Sequence, residues 1–341
     1  MVSLTEVSIA NAKIATLLPP GLVAVFVGGT SGIGEFTLKA LAKRAVRPRI
    51  YIVGRSEEAA ERIKKECAAL NPRGEYLFIP KDVSLIGNVD ELCREIASRE
   101  KFINILVVSA GTLVMGVETK EGLDLATALL YYQRVRVVAN LLPLLVRAPS
   151  FRRVMFVGAG TKEGPVDTSD FSARKVPLTR QRGHVVSMTT LALEELARRA
   201  PGVSFINDFP GAVKTGIGRG ARSPAMLLMR AVFAVVGPLV YVPAEECGER
   251  HLYALTSARY PAGDGAADEV GVPVGEGLGV AVGTDGKVGS GVYTIDREGE
   301  SGGPKVVELL AQLRKEGVGK KVWEHTEGEF KRISGVAAIE L

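Results

Sequence analysis

Residues 23–35 read VAVFVGGTSGIGE, and the fold class follows from them. Five apolar residues, Val23 to Val27, run without interruption into Gly28, Gly29, Thr30, Ser31, Gly32, Ile33 and Gly34. A short apolar run closed by glycines predicts a strand buried on both faces, as in a parallel sheet. The period then changes: Ile33, Phe36, Leu38 and Leu41 are spaced for a helix with Glu35 in its first turn. Strand, glycine turn and helix start together form an anion-binding element. The glycines permit a tight turn and close backbone approach, and the anion sits at the positive end of the helix.

Working outward, the chain repeats the theme. Apolar runs at Arg49 to Val53, Tyr76 to Ile79, Ile103 to Val108, Arg153 to Val157 and Val203 to Phe209 alternate with helical patterns. The helical patterns cover Glu57 to Leu70, Leu123 to Val146 and Met188 to Arg199. This alternation predicts a Rossmann-like, doubly wound α/β sheet with helices on both faces. Upstream, Met1 to Ala15 reads as a helix ended by Pro19 and Pro20. It carries Glu6 and Lys13 and lacks a long apolar core, so it is not a secretory signal, and a cytoplasmic location is expected.

The chain has 341 residues, 46% apolar and 24% charged, which suits a soluble protein with a sizeable core. The net charge of +5 is scattered, with no basic stripe interleaved with aromatics, so nucleic acid is not an expected partner. Cys67, Cys93 and Cys247 have neither metal nor disulfide spacing. No metal site is expected. His251 and His325 lie in charged helical stretches and read as solvated.

The glycine spacing Gly-x-x-x-Gly-x-Gly, at Gly28, Gly32 and Gly34, resembles the short-chain dehydrogenase/reductase family. Further resemblance lies in Ser109-Ala110-Gly111, similar to the family's Asn-Asn-Ala-Gly, and in Pro210 to Thr215, which matches Pro-Gly-x-Val-x-Thr. The resemblance spans about Gly21 to Tyr260, with Tyr260-Pro261 opening the last family strand. It implies a nicotinamide cofactor held by Gly28, Thr30, Ser31, Gly32, Ile33 and Gly34. Asp82 and Val83 would meet the adenine, Ala110 and Gly111 would lie beside the cofactor, and Val213 and Thr215 would stand near the nicotinamide and pyrophosphate. Asp82 alternatively caps the helix starting near Ser84. At the end of the second strand an acidic residue would mark NAD, but Gly54 stands there, followed by Arg55 and Ser56. A guanidinium there can grip a 2′-phosphate, which points to NADP; the other reading is a surface arginine.

The family's catalytic Asn, Ser, Tyr and Lys are replaced at every position. The asparagine register lands on Leu130 or Tyr131, and Asn140 falls too late in the helix, an ordinary polar position. Ala159 stands for the serine, with Thr161 the nearest hydroxyl. Phe171 to Lys175 resembles the Tyr-x-x-x-Lys pair with Phe for Tyr, and the expected window Val176 to His184 holds no tyrosine. His184 is then the best-placed substitute acid, with Tyr131, Tyr132 or a water behind it.

Residues 216–245 resemble the family's lid, containing the apolar run Ala225 to Val242; this run also suggests shallow membrane contact or self-association. Residues 261–341 exceed the usual family length, as in a group of fungal short-chain-reductase-like proteins. They read as an extension with hairpin strands Gly279 to Val282 and Gly291 to Ile295, then helices Pro304 to Lys315 and Gly319 to Ile333. The expectation is one domain over 1–260 with 261–341 packed upon it. Three functions stay open. They are an NADP-dependent oxidoreductase acting on an apolar carbonyl or alcohol in secondary metabolism, a non-redox enzyme on the same fold, and a non-catalytic NADP-binding protein.

Overall fold

A computed structural model describes residues 1–221, 231–234, 236–237, 239–265 and 271–341. Much of the expected lid, including Met229, lies outside the described residues. The sheet has seven strands: β1 Val23–Val27, β2 Arg49–Gly54, β3 Glu75–Pro80, β4 Ile105–Val108, β5 Arg153–Val157, β6 Ser204–Asp208 and β7 Val292–Ile295. All pairs are parallel and the order is 3-2-1-4-5-6-7. Direction of winding reverses between β1 and β4, so a crevice opens there at the carboxyl ends of the strands.

Helices cover both faces. They are α1 Leu4–Ala12, α2 Ile14–Leu17, α3 Gly32–Arg44, α4 Glu57–Leu70, α5 Ile86–Arg99, α6 Leu125–Thr127, α7 Gln133–Arg147, α8 Leu178–Arg199, α9 Ala244–Thr256, α10 Pro304–Lys315 and α11 Val318–Ser334. Side chains alternate along each strand, so one set of β1 residues (Val23, Val25, Val27) packs with α5, α7, α8 and the last two helices. The other set (Ala24, Phe26) packs with α1, α3 and α9. Among the described residues, no helix is long and apolar enough to cross a membrane.

The N-terminal helix is two pieces, begun by a capping box in which Ser3 and Glu6 exchange hydrogen bonds. More consequential is the seventh strand. Tyr260-Pro261 is not in the sheet; Tyr260 is buried and its hydroxyl donates to Gly299 O at 2.7 Å. The strand beside β6 is Val292–Ile295, so residues 261–341 complete the sheet and the boundary drawn at 260 does not fall at its edge. Consequently Gly279–Val282 and Gly291–Ile295 do not pair as a hairpin. The turn at Gly283 to Gly286 closes on Val282 and Val288, while the fully buried Val292–Ile295 joins the sheet.

Two histidines are also corrected. His251 on α9 is 4% exposed, with Nε2 2.9 Å from Asp208 Oδ2 at the end of β6. Burial opposes its charging, yet Asp208 and Cys247 more than offset that and hold it well above the ordinary histidine range. His325 on α11 is half-buried and its Nε2 lies 2.8 Å from the Tyr132 hydroxyl. Neither is solvated, because sheet and tail bring partners that local charge patterning does not show. A histidine whose folded pKa is raised stabilises fully below its unfolded value near 6.5 and loses that contribution as pH rises through the folded value. Denaturant titrations from pH 6 upward should therefore show wild type losing stability relative to His251→Gln.

Candidate active site

A cavity of about 1400 Å³ opens at the carboxyl ends of β1, β2, β4, β5 and β6. Its volume exceeds the roughly 300–1,000 Å³ of ordinary ligand pockets, giving room for two molecules side by side. One end is the glycine turn. Gly28 has φ +94°, and a Cβ there would lie 2.5 Å from Ala110 N. A Cβ on Gly34 would lie 2.5 Å from Gly28 O. Ser109 Oγ donates to Gly28 O at 3.2 Å and so clamps the turn against β4. The α3 N-terminus has no side-chain cap, leaving its first N–H groups for an anion.

Most of the sequence-predicted cofactor residues come together here. Gly28, Thr30, Ser31, Gly32, Ile33, Arg55, Asp82, Val83, Ala110, Gly111 and Thr215 line the cavity. Three do not line it. Gly34 supports the turn from beneath, Ser56 caps α4 by accepting from Ala59 N at 3.2 Å, and Val213 lies off the wall. At β2, a Cβ on Gly54 would sit 2.5 Å from Thr30 Oγ1, so the place of an acidic residue is taken. Asp82 does not cap α5. It accepts from Ser84 N at 3.1 Å, whereas Glu121 accepts from Ile86 N and Gly87 N at 2.6 and 2.9 Å. Its second oxygen therefore stays available.

The three catalytic candidates are not brought to the cavity. His184 is fully buried inside α8, which begins at Leu178 after Pro177 rather than at Met188. Its Nδ1 accepts from Asp167 N at 3.1 Å, and burial pushes its pKa below the ordinary range. It holds the 158–176 loop, which crosses α8 at Gly164 and Gly183; a Cβ on Gly183 would lie 2.9 Å from Gly164 Cα. Tyr131 is buried with its hydroxyl 2.6 Å from Thr326 Oγ1, and burial raises its pKa. Tyr131 and Tyr132 both fasten α11, so neither is a free acid. Thr161, at φ +64°, has a buried hydroxyl, and its N–H donates to Thr294 Oγ1 at 2.6 Å. Asn140 is not an ordinary polar position either. It is buried, donating to Asp90 Oδ1 at 2.8 Å.

Other residues stand on the cavity wall in their place, among them Leu130, one of the two on which the asparagine register lands. One face of α8 presents Leu178, Gln181, Arg182, Val185, Val186 and Thr189, at helical spacing. Between α6 and α7, Ala128–Tyr132 forms a π-helical turn, a feature frequent at functional sites. It sets Leu130 and Arg134 on the cavity side. Arg134 is 3% exposed, and burial alone pushes its guanidinium down to about 10. Among the described lining residues there is no tyrosine, histidine or cysteine. Leu113, Val114, Met115, Leu125 and Leu129 form an apolar stretch of the wall, with Glu118, Asp124 and Arg174 elsewhere on it.

Comparison with known proteins agrees with this geometry. The short chain dehydrogenase family description matches residues 22–146. Oxidoreductase AN1596 of Emericella nidulans is 41% identical over 332 residues, 96% of this chain and 97% of that protein. Short-chain dehydrogenase/reductase SAT2 of Stachybotrys chartarum is 31% identical over 337 residues, 91% of this chain and 92% of its own. The structure of L-sorbose reductase from Gluconobacter frateurii, complexed with NADPH and L-sorbose, has the same fold. Its TM-score is 0.54 and its identity 16%, over 77% of this chain and 99% of that one. With the glycine turn, the sheet order and near full-length kinship to fungal oxidoreductases, the chain belongs to the short-chain dehydrogenase/reductase family.

Proposed function

We propose that this oxidoreductase uses NADP to reduce a carbonyl, or oxidise an alcohol, of an apolar small molecule of fungal secondary metabolism. The observation that carries the reading is the continuity of one cavity. It runs from the glycine turn and Arg55 to an apolar wall formed by Leu113, Val114, Met115, Leu129 and Leu130. The residues fit a dinucleotide. Gly28 and Gly34 let the turn pack tightly where any Cβ would collide with backbone, and the uncapped α3 start would offer N–H groups to the pyrophosphate. Arg55, exposed on the cavity rim, would take the 2′-phosphate. When bound, the nicotinamide supplies hydride chemistry. The chain orients the reactants, and the proton passes through a water or a lining hydroxyl because no tyrosine or histidine faces the described cavity.

The same lack of a lining tyrosine or histidine favours a second reading, in which a substrate is cyclised, isomerised or dehydrated by shape and electrostatics alone. Incubation with apolar ketones, enones and quinones separates the two, since only the first consumes NADPH. For the cofactor itself, calorimetry should find NADPH binding tighter than NADH. Arg55→Ala should narrow the gap by about 1–3 kcal/mol. Equal affinities in wild type would overturn the assignment. A cytoplasmic location and weak self-association or membrane contact through 225–242 belong to the same proposal.

A further inference from the structure

Arg134 is a buried cation for which the described residues provide no anion. Its Nε donates to Leu129 O at 3.2 Å and its Nη2 to Ala110 O at 3.1 Å, both neutral carbonyls. The guanidinium also lies over the Phe156 ring, 5.9 Å from its centroid. Two residues on, Arg136 is equally buried but bonded to both oxygens of Asp90 at 2.7 Å. The contrast matters because an uncompensated interior charge is costly, and a guanidinium does not escape by deprotonating.

The unused corner of Arg134 is open to the cavity. Nη1 has no protein acceptor among the described residues, and it lies 3.2 Å from where a Cβ on Gly158 would stand. Asn207 Oδ1 is 3.6 Å from that same point. Gly158 and Ala159, small residues at the end of β5, leave this corner uncovered, and Arg134, Gly158, Ala159 and Asn207 all line the cavity. The amide of Asn207 is fixed in turn, its Nδ2 donating to Thr190 Oγ1 at 3.2 Å and that hydroxyl donating to Glu163. The cofactor's own anion has a separate seat at the start of α3.

We propose that Arg134 is the receptor for an oxyanion on the organic substrate, so that the ligand is an apolar molecule bearing a carboxylate or an ionised enol or phenol. The proposal rests on the reading of this cavity as the joint cofactor and substrate site. Nη1 donates to the anionic oxygen, the apolar body lies along Leu113, Leu129 and Leu130, and the buried charge gains the partner that the fold withholds.

The test uses matched probes on the full chain at fixed ionic strength: 2-naphthoate against the neutral 2-naphthamide, with dimedone as the enolate arm. Titration calorimetry should show wild type binding naphthoate about ten- to hundredfold more tightly than naphthamide. Arg134→Met should erase that preference, and Arg134→Lys should keep part of it. The Met variant should melt no lower than wild type, since an apolar chain replaces an unpaired buried charge. Equal affinity for acid and amide in wild type, no binding of either, or a preference that survives in both Arg134→Met and Arg134→Gln overturns the proposal. So does a tenfold loss of NADPH affinity in Arg134→Met with no anion preference, which would give the charge to the cofactor. Binding of naphthoate and dimedone but not NADPH would instead reject the cofactor reading and leave this one standing.

Discussion

Gly34→Ala is expected to weaken NADPH binding by about 100-fold, roughly 3 kcal/mol, while the chain still folds. Gly34 lies in the first turn of α3, directly under the glycine turn. The added Cβ would meet Gly28 O and Ser109 Oγ, each at 2.5 Å. Ser109 can rotate away, but a backbone carbonyl at the end of β1 cannot. The strain is relieved by moving the start of α3 away from the turn, which displaces the very N–H groups that would face the pyrophosphate of the proposed cofactor. Gly28→Ala should be at least as damaging. It adds a left-handed φ of +94° to a contact of 2.5 Å with Ala110 N, and it would open the Ala110 end of the cavity. Gly328→Ala is the control: it lies in α11 with nothing within 4 Å, and should gain up to about 1 kcal/mol of stability without touching NADPH affinity. Calorimetric titration paired with thermal melts separates lost binding from lost folding. Wild-type NADPH affinity in Gly34→Ala would refute the placement of the pyrophosphate.

Features set by a few consecutive residues could be read directly from the chain. The glycine turn is one, because its geometry is a local backbone demand; the alternation of buried strands with helices is another. Loss of the family's Asn, Ser, Tyr and Lys was equally plain, being a matter of residue identity. What took their place was not. Counting along the helix in steps of 3.6 residues slips at the π-helical turn Ala128–Tyr132, so the face bearing Arg134 could not be assigned from spacing. An arginine within an apolar run was the available signal. Tyr131 is taken up by Thr326 and Tyr132 by His325, partnerships with the tail that are distant in sequence. His184 has the residue type of an acid and the environment of a structural brace. β7 reads as a strand of a hairpin rather than of the main sheet, because a four-residue strand in a glycine-rich tail carries little pattern of its own; its place beside β6 is decided by tertiary packing.

The tail also explains the largest expected loss of stability, for Asp90→Ala. Asp90 on α5 and Arg136 on α7 form a bidentate pair at 2.7 Å, with side chains 5% and 0% exposed. Arg136 then reaches past the pair to the end of the chain, donating to Val336 O at 3.1 Å, Ala337 O at 2.5 Å and Ser334 Oγ at 2.8 Å. Asn140 adds a second strut, giving its amide to Asp90 and accepting from Ile339 N at 3.1 Å. Removing the carboxylate leaves a guanidinium buried over the Phe330 ring with only neutral acceptors, a change that typically costs about 3–5 kcal/mol. Replacing both members, as Asp90→Leu with Arg136→Met, should cost far less, because no charge is stranded. Deleting residues 336–341 should fall between these, about 1–3 kcal/mol, since it removes two carbonyl acceptors and the Ile339 contact but keeps the ion pair. Urea unfolding of the three variants gives the ranking. If Asp90→Ala unfolds no earlier than the double replacement, the pair does not hold the charge as its geometry indicates, and the tail is fastened by the other contacts of α11.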